Sequence, residues 1–346
     1  MGISEFDPNA PACVKNNIFS LPSSEQESRV VLLPVPWEVT VSHRAGTARA
    51  PEHIFDASQQ INLYDPESPE GWKSGFYMQD IDKSLLLKND YLRKEAALYI
   101  TFLADGGDIK KNDFMQDSLH EINEGCEELN EWVFQRSKRI LDQDKFVGLI
   151  GGDHSAPLGY YKALAKKYDA FGILHLDAHL DLRKSYEGFK YSHASIMYNT
   201  LEEVPNVSNL VSVGVRDYCP RELQKVEQEG ERMSVFFDRD LKRQLCEGVT
   251  WKAICDQIIE QLPEKVYLSL DIDGLDPKLC PNTGTPIPGG LEFWQVDYLL
   301  SRIVESGRKF IGFDLVEVGF KGDSWDANVA SRLLFRLCNV IESANK

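Results

Sequence analysis

Seven short runs of apolar residues recur along the chain and predict buried β-strands. They lie at 30–34, 146–150, 171–176, 210–215, 234–237, 266–270 and 310–315. Segments in which apolar residues recur at helical spacing separate most of these runs, as at 157–168 and 250–262. Buried strands that alternate with helices are typical of a parallel sheet covered by helices on both faces. The pattern therefore predicts an α/β fold.

Residues 52–145 have a mostly helical pattern. A helix is predicted at 91–105, because Gly106 and Gly107 would end it, and another at 326–341. Residues 119, 122, 126, 129 and 133 form an apolar stripe that indicates a third. Residues 1–28 are polar and rich in proline, which predicts an irregular lead-in. Because no repeat, low-complexity tract or linker interrupts residues 29–346, we expect them to form a single domain.

The run at 171–176 leads directly into Asp177, His179 and Asp181. In extended backbone, side chains at alternate positions point to the same side, so two carboxylates and one imidazole would converge. Burying such a cluster without a partner is costly, and a bound cation removes that cost. The pattern favours a metal site. The alternative is an exposed strand end at which the same acidic side chains are solvated.

Two further runs end in the same way. The run at 146–150 is followed by two glycines, Asp153 and His154, and the run at 266–270 by Asp271 and Asp273. Ligands of parallel α/β sheets bind at the carboxyl ends of the strands. Three such ends would pool six metal ligands without a thiolate: His154, Asp177, His179, Asp181, Asp271 and Asp273.

The net charge and the cysteines indicate which partners are disfavoured and which cellular compartment is expected. The 346 residues carry a formal net charge of −16, which disfavours nucleic acid or an anionic membrane as a partner. The seven cysteines include no C-x-x-C pair, which predicts reduced thiols in a cytoplasmic protein. No signal peptide or membrane-length apolar run is present in the sequence.

The motifs resemble those of the ureohydrolase superfamily, which comprises arginases, agmatinases, formimidoylglutamases and their relatives. The resemblance rests on GGDHS at 151–155, DAHLD at 177–181 and SLDIDGLDP at 269–277, with further matches at 213–217 and 312–317. It implies a three-layer α/β/α arginase-like fold with a mostly parallel eight-stranded sheet. It also implies a homo-oligomer, because relatives often form trimers or hexamers.

The resemblance further implies a binuclear manganese centre. Carried over by position, His154, Asp177, Asp181 and Asp271 or Asp273 divide between two ions, with His179 on one of them. Carboxylate and imidazole ligands suit Mn²⁺, while nickel, cobalt and iron are left open by the ligand types. Two such ions can lower the pKa of a bridging water.

The remaining site residues also come from the resemblance. Asp181 would steer the attacking hydroxide, Glu317 would pair with a guanidinium, and His193 would relay protons to the leaving amine. Structural roles for His193 and Glu317 are the alternatives. His175 is expected to support a ligand rather than bind metal. In the loop that follows the apolar run at 30–34, His43 and Arg44 either line the site or lie on the surface.

The substrate implied is a small cationic guanidino or amidino compound, with agmatine favoured. The family often has glycine where Ala194 stands, and Asn-Pro close after the position of Glu317. Arg183 and Lys184 would suit a carboxylate-bearing substrate such as formiminoglutamate, unless Arg183 pairs with Glu187. Guanidine, guanidinobutyrate and arginine also stay open. A single-zinc deacetylase and a non-catalytic metal-binding member are the remote alternatives.

Overall fold

The computed structural model describes residues 3–9 and 16–345. Eight strands form one sheet in the order β2-β1-β3-β8-β7-β4-β5-β6, and every neighbouring pair is parallel. The strands are β1 (Val30–Val35), β2 (Phe76–Met78), β3 (Phe146–Gly151), β4 (Phe171–Leu176), β5 (Val207–Val215), β6 (Met233–Phe237), β7 (Lys265–Asp271) and β8 (Lys309–Val316).

Ten α-helices connect and cover the strands in the described part of the chain. They are α1 (Ala50–Ser58), α2 (Lys83–Ala104), α3 (Asp113–Leu141), α4 (Leu158–Lys167), α5 (Ile196–Glu203), α6 (Pro220–Glu229), α7 (Asp238–Cys246), α8 (Trp251–Glu260), α9 (Phe293–Glu305) and α10 (Trp325–Ser343). Several 3₁₀ turns lie between them.

The apolar core has two parts, one on each face of the sheet. Successive residues of β1 alternate between them, with Val30 and Leu32 in one part and Val31 and Leu33 in the other. Helices α1 and α7–α10 contribute to the first part, and α2–α5 to the second. Both faces are buried, which explains why the strands read as continuous apolar runs. The predicted three-layer α/β/α arrangement is confirmed, and the sheet is entirely parallel.

Two local expectations from the sequence differ from the structure. The edge strand β2 lies inside the region predicted as mostly helical, because three residues are too short for a readable pattern. Helix α2 begins at Lys83 rather than at residue 91. The carboxylate of Asp82 accepts hydrogen bonds from the backbone amides of Ser84 and Leu85 and so caps the earlier start.

The lead-in covers the edge of the sheet. The buried side chain of Asn17 donates to the carbonyl of Phe76 (2.8 Å) and accepts from the amide of Met78 (3.1 Å). These bonds occupy backbone groups of β2 that would otherwise be free for another strand. Residues 16–28 are therefore part of the packed structure, although only short helical turns interrupt their irregular course.

The structure describes six of the seven cysteines and ten α-helices. Six cysteines in the described residues are unpaired, and Cys13 lies outside the described residues. No helix in residues 3–9 and 16–345 has the length and apolar character needed to cross a membrane.

Helix α10 is held by an ion-pair network whose Arg336 and Asp65 are buried and whose Glu67 and Asp297 are partly exposed. The guanidinium of Arg336 contacts Asp65 (3.0 Å), Glu67 (2.5 Å) and Asp297 (2.6 Å), and Asp65 is itself buried. Arg336→Met is expected to lower the free energy of unfolding by about 3 kcal/mol, because Asp65 would remain buried without its cation. Chemical denaturation measures this loss. The exposed Arg332 on the same helix is the control, and an equal loss in Arg332→Met would contradict the expectation.

Candidate metal centre

Three strands from the middle of the sheet bring the six predicted ligands to the same edge. β7 and β4 are adjacent, and β3 is separated from β7 by β8 alone. His154 follows β3, Asp177 to Asp181 follow β4, and Asp271 and Asp273 stand at the end of β7. Five of the six side chains are buried, and His179 is 23% exposed.

His154 lies at the centre of the first group of ligands. Its Nδ1 is 3.0 Å from Asp177 Oδ2, 3.2 Å from Asp181 Oδ2 and 3.3 Å from Asp271 Oδ2. The nitrogen nevertheless makes no hydrogen bond of acceptable geometry and is a buried polar atom without a partner. Three carboxylate oxygens thus surround this nitrogen, and the ligand atoms of His154, Asp177 and Asp181 lie within 4.8 Å of one another.

A second group shares Asp177 with the first. The other carboxylate oxygen of Asp177, Oδ1, lies 3.3 Å from His179 Nδ1, and Asp273 Oδ2 lies 3.2 Å from the same nitrogen. The ligand atoms of Asp177, His179 and Asp273 lie within 4.8 Å of one another. Asp177 therefore offers one oxygen to each group, as a residue that bridges two cations would.

The pKa shifts of the candidate ligands are those expected at a site that binds cations. Burial and the adjacent Asp273 raise the pKa of Asp271 well above its usual range. Burial disfavours charge on His154, but the surrounding carboxylates outweigh it and raise its pKa. Both shifts reflect carboxylates that are buried close to one another and to His154. Oxygen and imidazole donors without a thiolate suit divalent cations such as Mn²⁺, so the residues present fit a binuclear metal centre.

A row of buried polar side chains crosses the sheet beneath the ligands. Ser212, His175, Ser269 and Asp314 are register partners on β5, β4, β7 and β8, and all four are fully buried. His175 contacts Ser212 Oγ (3.0 Å) and Asp177 Oδ2 (2.8 Å) through its two ring nitrogens. His175 thus supports Asp177, as the sequence indicated.

The same row orients His154. Its Nε2 lies 2.9 Å from Ser269 Oγ, which in turn donates to Asp314, and the Tyr161 hydroxyl contacts both. A proton on Nε2 leaves Nδ1 free as a ligand atom. Sequence reasoning missed the roles of Ser269, Tyr161 and Asp314. The available signal was a single polar residue in the middle of an apolar strand, which in a buried strand demands a partner.

Backbone conformation also shapes the site. Asp181 (φ 53°) and Glu317 (φ 60°) occupy the left-handed region, which is uncommon for residues other than glycine. A β-carbon on Gly152 would lie 1.7 Å from the Trp37 carbonyl oxygen, so the chain before His154 requires glycine there.

A small cavity opens beside the ligands. It is lined by Val41, Ser42, His43, Arg44, His193, Gly284, Thr285 and Glu317. The amide of His154 donates to Glu317 Oε1 (2.9 Å), which fixes that carboxylate next to the metal ligands. Burial and the nearby Asp153 raise the pKa of Glu317. A cationic group in the cavity would be the natural partner of this carboxylate.

His193 lines the same cavity and is held by the loop that follows β1. Its backbone amide donates to Thr40 Oγ1 (3.1 Å), and the Thr40 hydroxyl donates to the buried Asp153 (3.3 Å). Burial, together with the nearby His179, lowers the pKa of His193 to about 4. The ring is therefore neutral at neutral pH. Thr40 had no recognisable signal in the sequence, since its contacts lie more than a hundred residues away.

Arg183 does not pair with Glu187. Its guanidinium lies over the ring of Tyr186, 4.9 Å from the centroid, and that ring meets the ring of His193 edge-on at 6.3 Å. Among the described residues Arg183 has no carboxylate within ion-pair distance. It therefore keeps its charge unpaired near the cavity.

Comparison with known proteins identifies the family. A sequence model described as "Arginase family" matches residues 28–339. The chain belongs to the arginase family. It is 30% identical over 311 residues to N(1)-aminopropylagmatine ureohydrolase of Thermus thermophilus, covering 90% of this chain and 89% of the relative. It is also 30% identical to agmatinase of Bacillus cereus, with 87% of each covered.

Solved structures of this fold agree. The agmatine ureohydrolase of Thermoplasma volcanium superposes with a TM-score of 0.70 at 22% identity, covering 98% of this chain and 96% of that one. Proclavaminate amidino hydrolase from Streptomyces clavuligerus gives 0.71 at 22% identity, covering 95% and 97%. Arginase-family ureohydrolases act on amidino C–N bonds at a binuclear metal centre, so this protein is a hydrolase of that class.

Metal binding to this arginase-family site is expected to weaken as pH falls. His154 and Asp271 hold protons more strongly than usual, and those protons must leave when a cation binds. Added Mn²⁺ is expected to raise the melting temperature of the chelator-treated protein, with higher apparent affinity at about pH 8 than at about pH 6. Thermal melts across a Mn²⁺ titration measure both effects.

The test variant and its matched control are both Asp→Asn substitutions. Asp177→Asn removes the shared ligand and should abolish most of the Mn²⁺ stabilisation, whereas the exposed Asp117→Asn on α3 should retain it. Equal Mn²⁺ stabilisation of both variants would contradict the metal centre.

Proposed function

We propose that the protein hydrolyses agmatine to putrescine and urea. The observation that supports this most directly is the pair of ligand groups that share Asp177, placed beside a cavity that contains Glu317 and His193. Similarity over most of the chain to an agmatinase and to N(1)-aminopropylagmatine ureohydrolases supports a guanidino substrate.

The proposed metal ligands divide into two sets. His154, Asp177, Asp181 and Asp271 would hold one ion, and His179, Asp177 and Asp273 the other. Two bound cations would supply a deprotonated water as nucleophile at neutral pH and polarise the substrate. We propose manganese as the metal, because its preference for oxygen and imidazole ligands matches this set.

Glu317 is proposed to bind and orient the guanidinium. Its Oε1 is held by the His154 amide, and Gly284 leaves room beside Oε2, since a β-carbon there would be 3.5 Å from that oxygen. A carboxylate beside a planar cation makes charge-assisted hydrogen bonds that fix the position of the central carbon. The raised pKa of Glu317 is the expected property of a carboxylate that gains a cationic partner only when substrate binds.

Asp181 and His193 are proposed to manage the protons. Asp181 would accept a hydrogen bond from the attacking water and direct its oxygen toward the guanidino carbon. Addition of that oxygen and cleavage of the C–N bond require a proton on the departing amine. His193 is neutral and lines the cavity, so it can relay a proton from the site to that nitrogen.

N(1)-aminopropylagmatine is the second candidate substrate. Several relatives at about 30% identity carry that name, and the same site would act on the guanidino end of either compound. Arg183, unpaired and adjacent to Tyr186, would instead favour a carboxylate at the far end of the substrate, as in formiminoglutamate. A single-zinc deacetylase would not need the second ligand group.

Three broader proposals accompany the reaction. Residues 29–346 would act as one catalytic domain with Arg183 near the tail of the substrate. By resemblance to the family, the protein would assemble as a homo-oligomer, a trimer or hexamer. Its cysteines, which include no C-x-x-C pair, suit the reduced thiols of a cytoplasmic protein. Its net charge of −16 suits a small cationic substrate.

Purified protein loaded with Mn²⁺ is expected to release urea from agmatine. Asp181→Ala and Asp181→Asn should both abolish this activity, because each removes a carboxylate of the first ligand group. Urea is measured with agmatine, N(1)-aminopropylagmatine, guanidine, guanidinobutyrate and arginine in parallel. Formamide is measured with formiminoglutamate, which has no guanidino group and cannot release urea. Folded protein that holds two ions and leaves agmatine intact would refute the agmatine assignment and direct attention to whichever compound is cleaved.

His193→Asn is expected to lower kcat about 100- to 1,000-fold with a much smaller effect on KM, because a proton relay acts mainly in the transition state. The control is His120→Asn, which changes an exposed histidine of α3. Steady-state kinetics of both variants test the role. Wild-type kcat in folded His193→Asn would leave His193 with only a structural role.

A further inference from the structure

Arg216 follows β5 directly and contacts both loops that carry the second ligand group. Its backbone amide and that of Asp217 donate to the Ala178 carbonyl at 2.8 and 3.0 Å. Ala178 lies between the ligands Asp177 and His179. The end of β5 therefore fixes the backbone on which these two ligands stand.

The guanidinium of Arg216 binds four backbone carbonyls. Nη2 donates to Asp273 (2.6 Å), Leu275 (3.1 Å) and Ile287 (3.0 Å), Nε donates to Ile287 (3.1 Å), and Nη1 donates to Gly214 (3.1 Å). The ligand Asp273 thus has its carbonyl held by Arg216, while its side chain accepts from the Ala178 amide (3.1 Å).

The same side chain joins the metal ligand to the substrate cavity. Ile287 belongs to the loop at 284–290, and Gly284 and Thr285 of that loop line the cavity with Glu317. No carboxylate in the described residues lies within 4.0 Å of the Arg216 guanidinium, so its donors are directed entirely at carbonyl oxygens. Four carbonyls from three separate segments match the planar, forked arrangement of guanidinium donors, which a lysine cannot reproduce.

We propose that Arg216 is a positioning residue for the second metal ion. It holds the turn that carries Asp273 against the loop that carries Ala178 and His179. The first ligand group, centred on His154, has its own supports in Ser269 and His175. Loss of the Arg216 side chain should therefore weaken binding of the second ion more than binding of the first. This inference rests on the proposed binuclear centre but not on the identity of the substrate.

The test is a Mn²⁺ titration of the metal-free protein followed by electron paramagnetic resonance, which counts free Mn²⁺ and detects the coupled pair of ions. Wild type is expected to bind two ions. Arg216→Met is expected to retain the first and to bind the second at least about tenfold more weakly, with loss of the coupled-pair signal. Arg216→Lys, which keeps the charge but not the fork, is expected to be intermediate.

Arg232→Met is the matched control. Arg232 also donates to carbonyls beside β5, those of Leu201, Val204 and Val207, but at the opposite end of the strand. Its loss should lower thermal stability without changing the affinity ratio of the two ions. A general structural role of Arg216 would make the two arginine variants alike.

Several results would overturn the proposal. Folded Arg216→Met that binds both ions with wild-type affinity would overturn it. An equal loss of affinity for the two ions would also overturn it. If Arg216→Met does not fold, wild-type affinity for the second ion in Arg216→Lys would have the same consequence. A wild-type protein that binds two ions but leaves agmatine intact refutes only the substrate, whereas one that binds a single ion refutes the binuclear centre and this inference together.

Discussion

The burial of several carboxylates around His154 is the constraint on which the site depends. Asp177, Asp181 and Asp271 each place an oxygen within 3.3 Å of the same imidazole nitrogen, away from water. Like charges at this spacing in a medium of low dielectric repel strongly unless a cation lies between them. The carboxylates therefore surround a space that a divalent cation would stabilise, and His154 and Asp271 hold protons there more strongly than usual.

The rest of the sheet holds this arrangement in position. The polar row of Ser212, His175, Ser269 and Asp314 crosses four strands inside an otherwise apolar core. Each member has a hydrogen-bond partner, so the row orients the ligands without leaving polar groups unpaired. The loops above contribute the left-handed residues Asp181 and Glu317, whose backbone strain is held by the surrounding packing. The hydrogen-bonded row beneath the ligands and the strained loop residues above them together hold the ligands in one geometry.

The cavity joins this electrostatic centre to substrate recognition. Glu317 is fixed through the amide of the metal ligand His154, and His193 is fixed through Thr40 to Asp153, the residue before His154. The proposed metal binding, guanidinium binding and proton relay would thus all depend on a short stretch after β3. A displacement there would affect all three, and a β-carbon at position 152 would force one, because it would clash with the Trp37 carbonyl.

The fold class, seven of the eight strands and the six candidate ligands could be predicted from the sequence, because they depend on local periodicity and on polar residues placed directly after apolar runs. The strand order, the edge strand β2, the start of α2, the division of the ligands into two groups around Asp177 and the contacts of Arg183 and Arg216 became visible only in the folded chain. His154 and Ser269 are 115 positions apart, and Thr40 and His193 are 153 apart. Such pairings depend on the packing of the whole sheet, and no pattern within a single segment records them.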